Sequence, residues 1–586
     1  MTVAEYIFDY LQKKGLETVY MVSGSSAMWL TDALYKNKEL DAICCHHEQA
    51  AAMSADGYGR THRTPGCCLV TIGPGATNAI TGVAQAYLDS SPMFVISGQA
   101  NSRLLQYEKE TGIRQHGTQS LNLEPIVSSI TKYFCEVMNE DDIQRVMEEA
   151  YTEATSGRKG PVWIDVPIDI QNKQIAEKKL DGKHTNDADD IDVDVSDIIS
   201  LLSEAKKPLI WAGGGVRSAG AADLLRQVAH KHRIPVVVSR AGIDAMPSDD
   251  TLFVGRPGAY GDRASHFAIQ QCDLLLVLGC RLSVSSIGYY PNHLAPLAKI
   301  VKVDIDQKEL DKTDVPVDID IRADLRKFLS QLLKEGKAEE ATNREWIRYC
   351  NKLKMEYSIE FDKIDLSDGL DEYWVTKYIS DRVSDESNIV VDTGSVCNIV
   401  SQSWNLKSNQ RYLISGGLSC MGFWATAMGA YQKNRNLIAI TGDGSAQMNI
   451  QELATLEYND IPLKLFVYNN NGYMLIRHNQ HNYMEDRFLG VGPDSGLKTP
   501  NFTKVAEAYG IKAYRISERE ELESRLLEVL ETNQPVLCEI MVKEFAPIEP
   551  RIASKVMPDG SLKAAEFDDL APFLDEDDKP KPFEEF

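Results

Sequence analysis

Short apolar runs, each closed by glycine or a polar turn, alternate with segments whose apolar positions recur at helical spacing along nearly the whole chain. Strands that read as continuous apolar runs, separated by helices, are what a parallel sheet covered on both faces requires. The pattern falls into three blocks. The first, about 1–175, holds "VYMV", "LDAICC", "CCLVTI", "MFVIS" and "PVWIDV"; the second, about 190–335, holds "KPLIWAGGG", "IPVVVS", "DLLLVLG" and "KIVKVDID". The third, about 365–550, holds "NIVVDTG", "RYLISGG", "LIAITGDG", "LKLFVY" and "PVLCEIMV". The expected fold is therefore α/β, with three doubly wound parallel-sheet domains and an acidic tail over 551–586. Acidic and lysine-rich segments around 176–195 and 334–364 read as linkers or surface helices. Blocks one and three share a rhythm of strand, Gly-rich turn, Ala-rich helix and strand, which predicts two related domains flanking a third.

A length of 586 residues suits a composite enzyme of several domains, and 43 % hydrophobic residues suit globular cores. With 62 basic against 86 acidic residues the formal charge is −24, so nucleic acid is a poor partner. No apolar run reaches membrane-spanning length, and "MTVAEYIFDYLQKKGLETVY" reads as an amphipathic helix running into a strand rather than a signal peptide. The expected location is the cytoplasm. Eleven cysteines without metal-ligand spacing fit it, and Cys44, Cys45, Cys67 and Cys68 read as reduced core residues.

The chemistry concentrates in "LIAITGDGSAQMNIQELATLEYNDIPLKLFVYNNNGY". It reads as strand 437–441, a turn, a helix over about 446–458 and strand 463–468, one βαβ unit with parallel strands. The loops after both strands then open on one sheet edge, bringing Asp443 and Asn470 to one crevice. Gly442 and Gly444 allow close backbone approach, the next helix offers free N–H groups to a diphosphate, and two hard oxygen ligands suit Mg²⁺. A Gly-Asp-Gly turn alone is an ordinary turn. Followed 24 residues later by Asn-Asn on the next parallel strand, it resembles the thiamine diphosphate motif.

That resemblance extends to about residue 550 and is nearest to acetolactate synthase catalytic-subunit-like proteins. "HEQAAAMSADGYGR", "TIGPGATNAITGVAQAYLDSSPMFVISGQ", "ISGGLSCMGFWATAMGA" and "FTKVAEAYGIK" resemble that group's segments. It implies pyrimidine-binding, central and diphosphate-binding domains, and a homodimer or homotetramer with active sites at the dimer interface. Asp443, Asn470 and the carbonyl of Gly472 would hold Mg²⁺. Glu48 would bond the ring nitrogen of the aminopyrimidine, a role suited to a carboxyl whose apolar setting raises its proton affinity; its other reading is an acid stabilised at a helix N-terminus. Met421 would support the bent cofactor and the Ser419 carbonyl would accept its amino group, although the family often has glycine there. Gly394, Ser395, Ser445 and Tyr473 would line the cofactor. Asn78 and Gln85 share a helix face after the Gly73–Pro74–Gly75 turn, and Gln119 and His116 would approach the reacting carbon.

Family chemistry implies decarboxylation of a 2-keto acid, with pyruvate the expected donor, and attack of the resulting enamine on a second carbonyl. Thr118 stands where the synthases have phenylalanine, and "YMLIRHNQHNYMEDRF" replaces their segment with an acceptor-selecting tryptophan. Arg477, His478, Gln480 and His481 make this stretch polar, suiting a sugar-type acceptor as in surface-polysaccharide or unusual-sugar biosynthesis; a solvated loop explains it equally. The same resemblance brings FAD, with contacts expected at Gly213, Gly214, Arg281, Asp304 and Asp306, but Ser218 breaks the glycine fingerprint and other family members bind ADP or nothing there. The alternatives are a simple 2-keto acid decarboxylase or lyase, and a non-catalytic paralogue.

Overall fold

The computed structural model describes residues 1–62, 64–175, 193–335, 343–556 and 562–586. The acidic stretch read as the first linker lies largely outside them. The described residues contain three six-stranded, all-parallel sheets and a small antiparallel pair near the C-terminus. The first is built from β1 (Thr18–Met21), β2 (Asp41–Cys44), β3 (Gly66–Val70), β4 (Met93–Gln99), β5 (Tyr133–Glu136) and β6 (Pro161–Pro167). The second is built from β7 (Pro208–Ala212), β8 (Val236–Val238), β9 (Phe253–Gly255), β10 (Leu274–Leu278), β11 (Lys299–Asp304) and β12 (Ile319–Arg322). The third contains β13 (Ser387–Val391), β14 (Arg411–Ile414), β15 (Asn436–Gly442), β16 (Leu463–Asn469), β17 (Lys512–Ile516) and β18 (Val536–Met541).

The first sheet runs β2-β1-β3-β4-β6-β5 and the third β14-β13-β15-β16-β18-β17. Numbered within each sheet, both read 2-1-3-4-6-5, so the shared rhythm of blocks one and three corresponds to one topology used twice. The middle sheet runs β12-β11-β10-β7-β8-β9, the 3-2-1-4-5-6 order of dinucleotide-binding folds read from the other edge. In each sheet the chain changes direction beside its first strand, which places a crevice at the strand C-termini between β1 and β3, between β10 and β7, and between β13 and β15.

The chain divides into two units, one carrying the first and third sheets and the other the second. In the former, the Glu48–Thr61 helix brings Ala50, Ala51, Ala52, Ala55 and Gly57 into the core against the Thr426–Gly429 helix. A Cβ on Gly57 would lie 2.1 Å from the Thr426 carbonyl oxygen, and one on Gly429 would lie 1.7 Å from that of Ser54. The small residues let the two backbones approach closely and bury their apolar faces. In the other unit, Trp346 on the Arg344–Glu356 helix and Phe567 from the final segment join the core with Trp211. The segment read as a linker or surface helix and the acidic tail therefore both carry core anchors.

Candidate functional site

Glu48 is the first residue of its helix, and His47 caps that helix by accepting the Gln49 N–H at Nδ1, 3.1 Å. The carboxylate is half-buried, and the alanines that follow it belong to the helix face that packs against Thr426–Gly429. Asn78 Nδ2 donates to Glu48 Oε2 at 3.0 Å, while a Cβ on Gly75 would lie 3.4 Å from Oε1. Gly75 leaves one carboxylate oxygen open over a backbone turn.

The same turn meets Gln119. Gly73 has φ +62°, and a Cβ there would lie 2.9 Å from the Gln119 carbonyl oxygen; Gln119 itself has φ +61°. That left-handed conformation is costly for a non-glycine residue and is held by Glu108, whose Oε1 accepts the N–H groups of His116 and Gly117 and the Ser120 hydroxyl. Partial burial pushes Glu108 up, but these donors outweigh it and hold its carboxyl below the ordinary value. His116 and Gln119 are exposed beside this clamp. Gln85, by contrast, turns away: its Nε2 donates to buried Asp56 at 2.5 Å in a network with Arg60 and Asp89, a structural role.

In the third sheet β15 and β16 pair in parallel as expected, and Asp443 follows β15 while Asn470 follows β16. The intervening helix is not continuous, because Asn449 leaves helical geometry and donates through Nδ2 to the Gly422 carbonyl at 2.8 Å. Asp443 is 1 % exposed; its Oδ1 accepts the Gly444 N–H and its Oδ2 the Gly472 N–H, both at 2.8 Å. Burial pushes its carboxyl up to about 7 against the pull of those N–H groups. A buried carboxylate beside an amide and a main-chain carbonyl is an all-oxygen donor set, the kind that suits a hard divalent cation such as Mg²⁺. Among the described residues no three His, Cys, Asp or Glu side chains converge as a metal group.

The two glycines of the turn differ. A Cβ on Gly444 would strike the Tyr473 ring at 2.1 Å, so this glycine makes room for Tyr473; a Cβ on Gly442 would meet only Val396 at 3.6 Å. Gly442 is therefore the glycine that faces open space. Gly394 likewise has φ +95° and nothing within 4 Å of a Cβ, next to buried Ser395. Ser419, exposed with φ +54°, occupies a left-handed position, the physical reason glycine suits it elsewhere. Met421 is half-buried two residues on.

Two acids that the motif reading missed organise this corner. Asp392, fully buried at the exit of β13, receives five donors: the N–H groups of Thr393, Phe423 and Trp424 and the hydroxyls of Ser445 and Thr441, at 2.7–3.1 Å. One carboxylate thus sets the loops bearing Gly394, Met421 and Asp443, and burial pushes its pKa up. Glu452, also raised by burial, accepts the His46 N–H at 3.1 Å and so ties the third-sheet helix to the turn before Glu48. An acid closing an apolar strand was the sequence signal for Asp392; Glu452 had none.

The expected acceptor residues scatter. Arg477 is 9 % exposed and bonds main-chain carbonyls. Gln480 exchanges hydrogen bonds with the Leu489 backbone, and His481 meets Asp486 at 2.6 Å. His478 is half-buried on the same Met474–Met484 helix. In the second sheet, Gly213, Gly214, Arg281, Asp304 and Asp306 line the C-terminal ends of β7, β10 and β11. A Cβ on Gly213 would lie 2.1 Å from the Gly279 oxygen, so packing of two strand-end loops already accounts for that glycine. Of the cysteines read as core, Cys45, Cys67 and Cys68 are buried, with burial raising their thiols, but Cys44 is exposed on edge strand β2. The apolar run "AICC" reads as buried, but β2 closes the sheet edge, where Asp41, Ala42 and Cys44 are exposed.

Residues 1–126, 195–332 and 392–540 match, respectively, the N-terminal TPP binding, central and C-terminal TPP binding domains of the thiamine pyrophosphate enzymes. The chain is 32 % identical to the probable acetolactate synthase large subunit of Methanocaldococcus jannaschii, covering 98 % of this chain and 99 % of that one. It is 32 % identical to the acetolactate synthase large subunit of Lactococcus lactis over 95 % of both chains. To the isozyme 2 large subunit of Escherichia coli it is 30 % identical over 94 % of this chain and 97 % of the other.

Proposed function

This chain belongs to the thiamine pyrophosphate enzyme family, and from that premise we propose that it is an acetolactate synthase-like carboligase that decarboxylates a 2-keto acid, pyruvate first, and joins the remaining unit to a second carbonyl. The observation that carries the reading is the pair of half-sites in one unit: Glu48, after β2, held by Asn78, after β3, and Asp443, after β15, bonded to Gly472 beside Asn470, after β16.

When bound, thiamine diphosphate supplies a carbon nucleophile and an electron sink for the departing carboxylate. The chain's own residues do the rest. Glu48 exchanges a proton with the pyrimidine ring, and Asn78 holds its carboxylate in place. Asp443, Asn470 and the Gly472 carbonyl would hold Mg²⁺, and Gly394, Ser395, Gly442 and Ser445 would border the diphosphate. Ser419 and Met421 would orient the rings, while Gln119 and His116 would face the substrate end. Asn78 and Gln119 are exposed in a single chain, which supports a second copy completing the site as a homodimer.

Pyruvate with thiamine diphosphate and Mg²⁺, offered alone and with keto acids, aldehydes and keto-sugars, tests the reaction by mass spectrometry of the products. Ligated product supports the carboligase; acetaldehyde alone would assign a simple decarboxylase. A keto-sugar adduct would support the sugar-type acceptor suggested by His478, Gln480 and His481. For the second sheet we propose a nucleotide along the ends of β7, β10 and β11, supported by its strand order. A flavin absorption band retained through gel filtration identifies FAD; colourless protein that binds ADP restricts the site to an adenine nucleotide. A cytoplasmic setting is supported by eleven cysteines none of which is in a disulfide, and among the described residues no helix is long and apolar enough to cross a membrane.

A further inference from the structure

Arg477 sits in the first turns of the Met474–Met484 helix, pointing back at the loop from which that helix emerges. Its Nη1 donates to the carbonyls of Asn470, at 3.3 Å, and Glu544; its Nη2 donates to those of Asn471 and Val491, both at 3.0 Å. Those four carbonyls belong to three separate stretches of chain: the turn after β16, the segment after β18, and the loop that returns from the helix. The Val491 carbonyl also accepts the Tyr473 N–H at 3.0 Å. A Cβ on Gly472 would lie 2.0 Å from the Val491 oxygen and 3.0 Å from Nη2, so the turn is pressed directly against this clamp. Only a planar, multi-donor group reaches four carbonyls at once; a lysine ammonium is a point donor.

We propose that Arg477 is a positioning residue for the cation turn, locking Asn470 and Gly472 in place and tying the exposed 481–490 segment to occupancy of that turn. The inference rests on the reading of Asp443, Asn470 and Gly472 as the cation site. It also reassigns a side chain whose charge and sequence context pointed to an acceptor substrate, since the guanidinium is turned inward onto the main chain.

The test titrates Mg²⁺ into wild type, Arg477→Lys and Arg477→Gln at saturating thiamine diphosphate, following tryptophan fluorescence, and separately measures KM for the second carbonyl. Loss of a group that orients metal ligands weakens metal affinity about 10–100-fold. That loss is expected for Arg477→Gln, with a smaller one for Arg477→Lys, while the acceptor KM stays nearly constant. Unchanged Mg²⁺ affinity with a raised acceptor KM would overturn the inference and return Arg477 to substrate recognition. Should both variants misfold, hydrogen exchange of the wild type decides: Mg²⁺ with thiamine diphosphate should protect 469–477 and 489–492 together, and protection confined to 469–473 would refute the coupling. Wild type that takes up neither ligand overturns the cofactor reading and this inference with it, whereas normal wild-type uptake with unaltered variants overturns this inference alone.

Discussion

Asn78 donates to Glu48 across 3.0 Å, so an amide little more than one turn into one helix fixes the carboxylate that opens another. Glu48 Oε1 is left over the Gly75 backbone, available to a ligand. Glu48→Gln keeps the shape but cannot take up and return a proton, and general acid–base groups of this kind contribute about 10²–10⁴ in rate. Turnover should fall by that order while cofactor binding, read by fluorescence, persists. Asn78→Ala removes one hydrogen bond to a charged group, worth about 1.5–3 kcal/mol, and should reduce turnover by roughly tenfold or more. Full activity in Glu48→Gln would remove Glu48 from the chemistry.

The glycines of the Asp443 turn make a paired prediction. Gly444→Ala drives a methyl into the Tyr473 ring, and should lower the thermal midpoint of the apo-protein; Tyr473→Ala in the same chain should restore much of it. Gly442→Ala meets only ordinary contact at φ −81°, so the apo-protein should melt as wild type does. If a diphosphate approaches that open face, thiamine diphosphate affinity should nevertheless drop. Calorimetry of binding beside the melting curves separates the two, and wild-type affinity in Gly442→Ala would move the diphosphate elsewhere.

What could be read ahead of the structure follows from how local each feature is. β4, β6 and β16 are buried at every position and stand out as apolar runs. Edge strands β5, β12 and β17 alternate or are half-exposed, and three-residue β9 is too short for a pattern, so none of the four stands out in the sequence. Asp443 and Asn470 belong to a motif contained in one βαβ unit. Glu452 and His46 are 406 residues apart, a distance over which no spacing rule operates. The alanines after Glu48 were legible as a helix but not as an interface, because composition does not say which neighbour a small residue admits.

Asp165 carries a pH prediction. Buried on β6, it accepts the Ser97 hydroxyl at 2.5 Å and Gln99 Nε2 at 2.9 Å, yet burial still pushes its carboxyl up to about 7. Its folded value lies above its unfolded one, so its favourable contribution is complete below the unfolded value and is lost as pH rises through about 7. Every tenfold gain in proton affinity on folding corresponds to about 1.4 kcal/mol, giving a few kcal/mol at most between those two values. Asp165→Asn should flatten the thermal midpoint of the full chain between about pH 5 and 8, with the largest gain at the alkaline end. An unchanged slope would show that Asp165 is relieved by water or motion.

The last prediction concerns the proposed second copy. Asn78, Gln119 and edge residues Ala42 and Cys44 are all exposed in the isolated chain, although Glu108 holds the turn that carries Gln119 at φ +61°. These exposed groups around one carboxylate are what a second copy would cover. If two copies each lend Glu48 to the other's Asp443 corner, Glu48→Gln and Asp443→Ala chains fail separately in different halves of the site. Unfolded together and refolded, or co-expressed with two tags and purified through both, the mixed dimer contains one site with both residues intact and one with neither. Activity near half that of wild type per dimer is expected, against near zero for each parent. A mixed dimer as inactive as its parents would show that Glu48 and Asp443 act within the same chain, and a monomeric mass in solution would remove the shared site altogether.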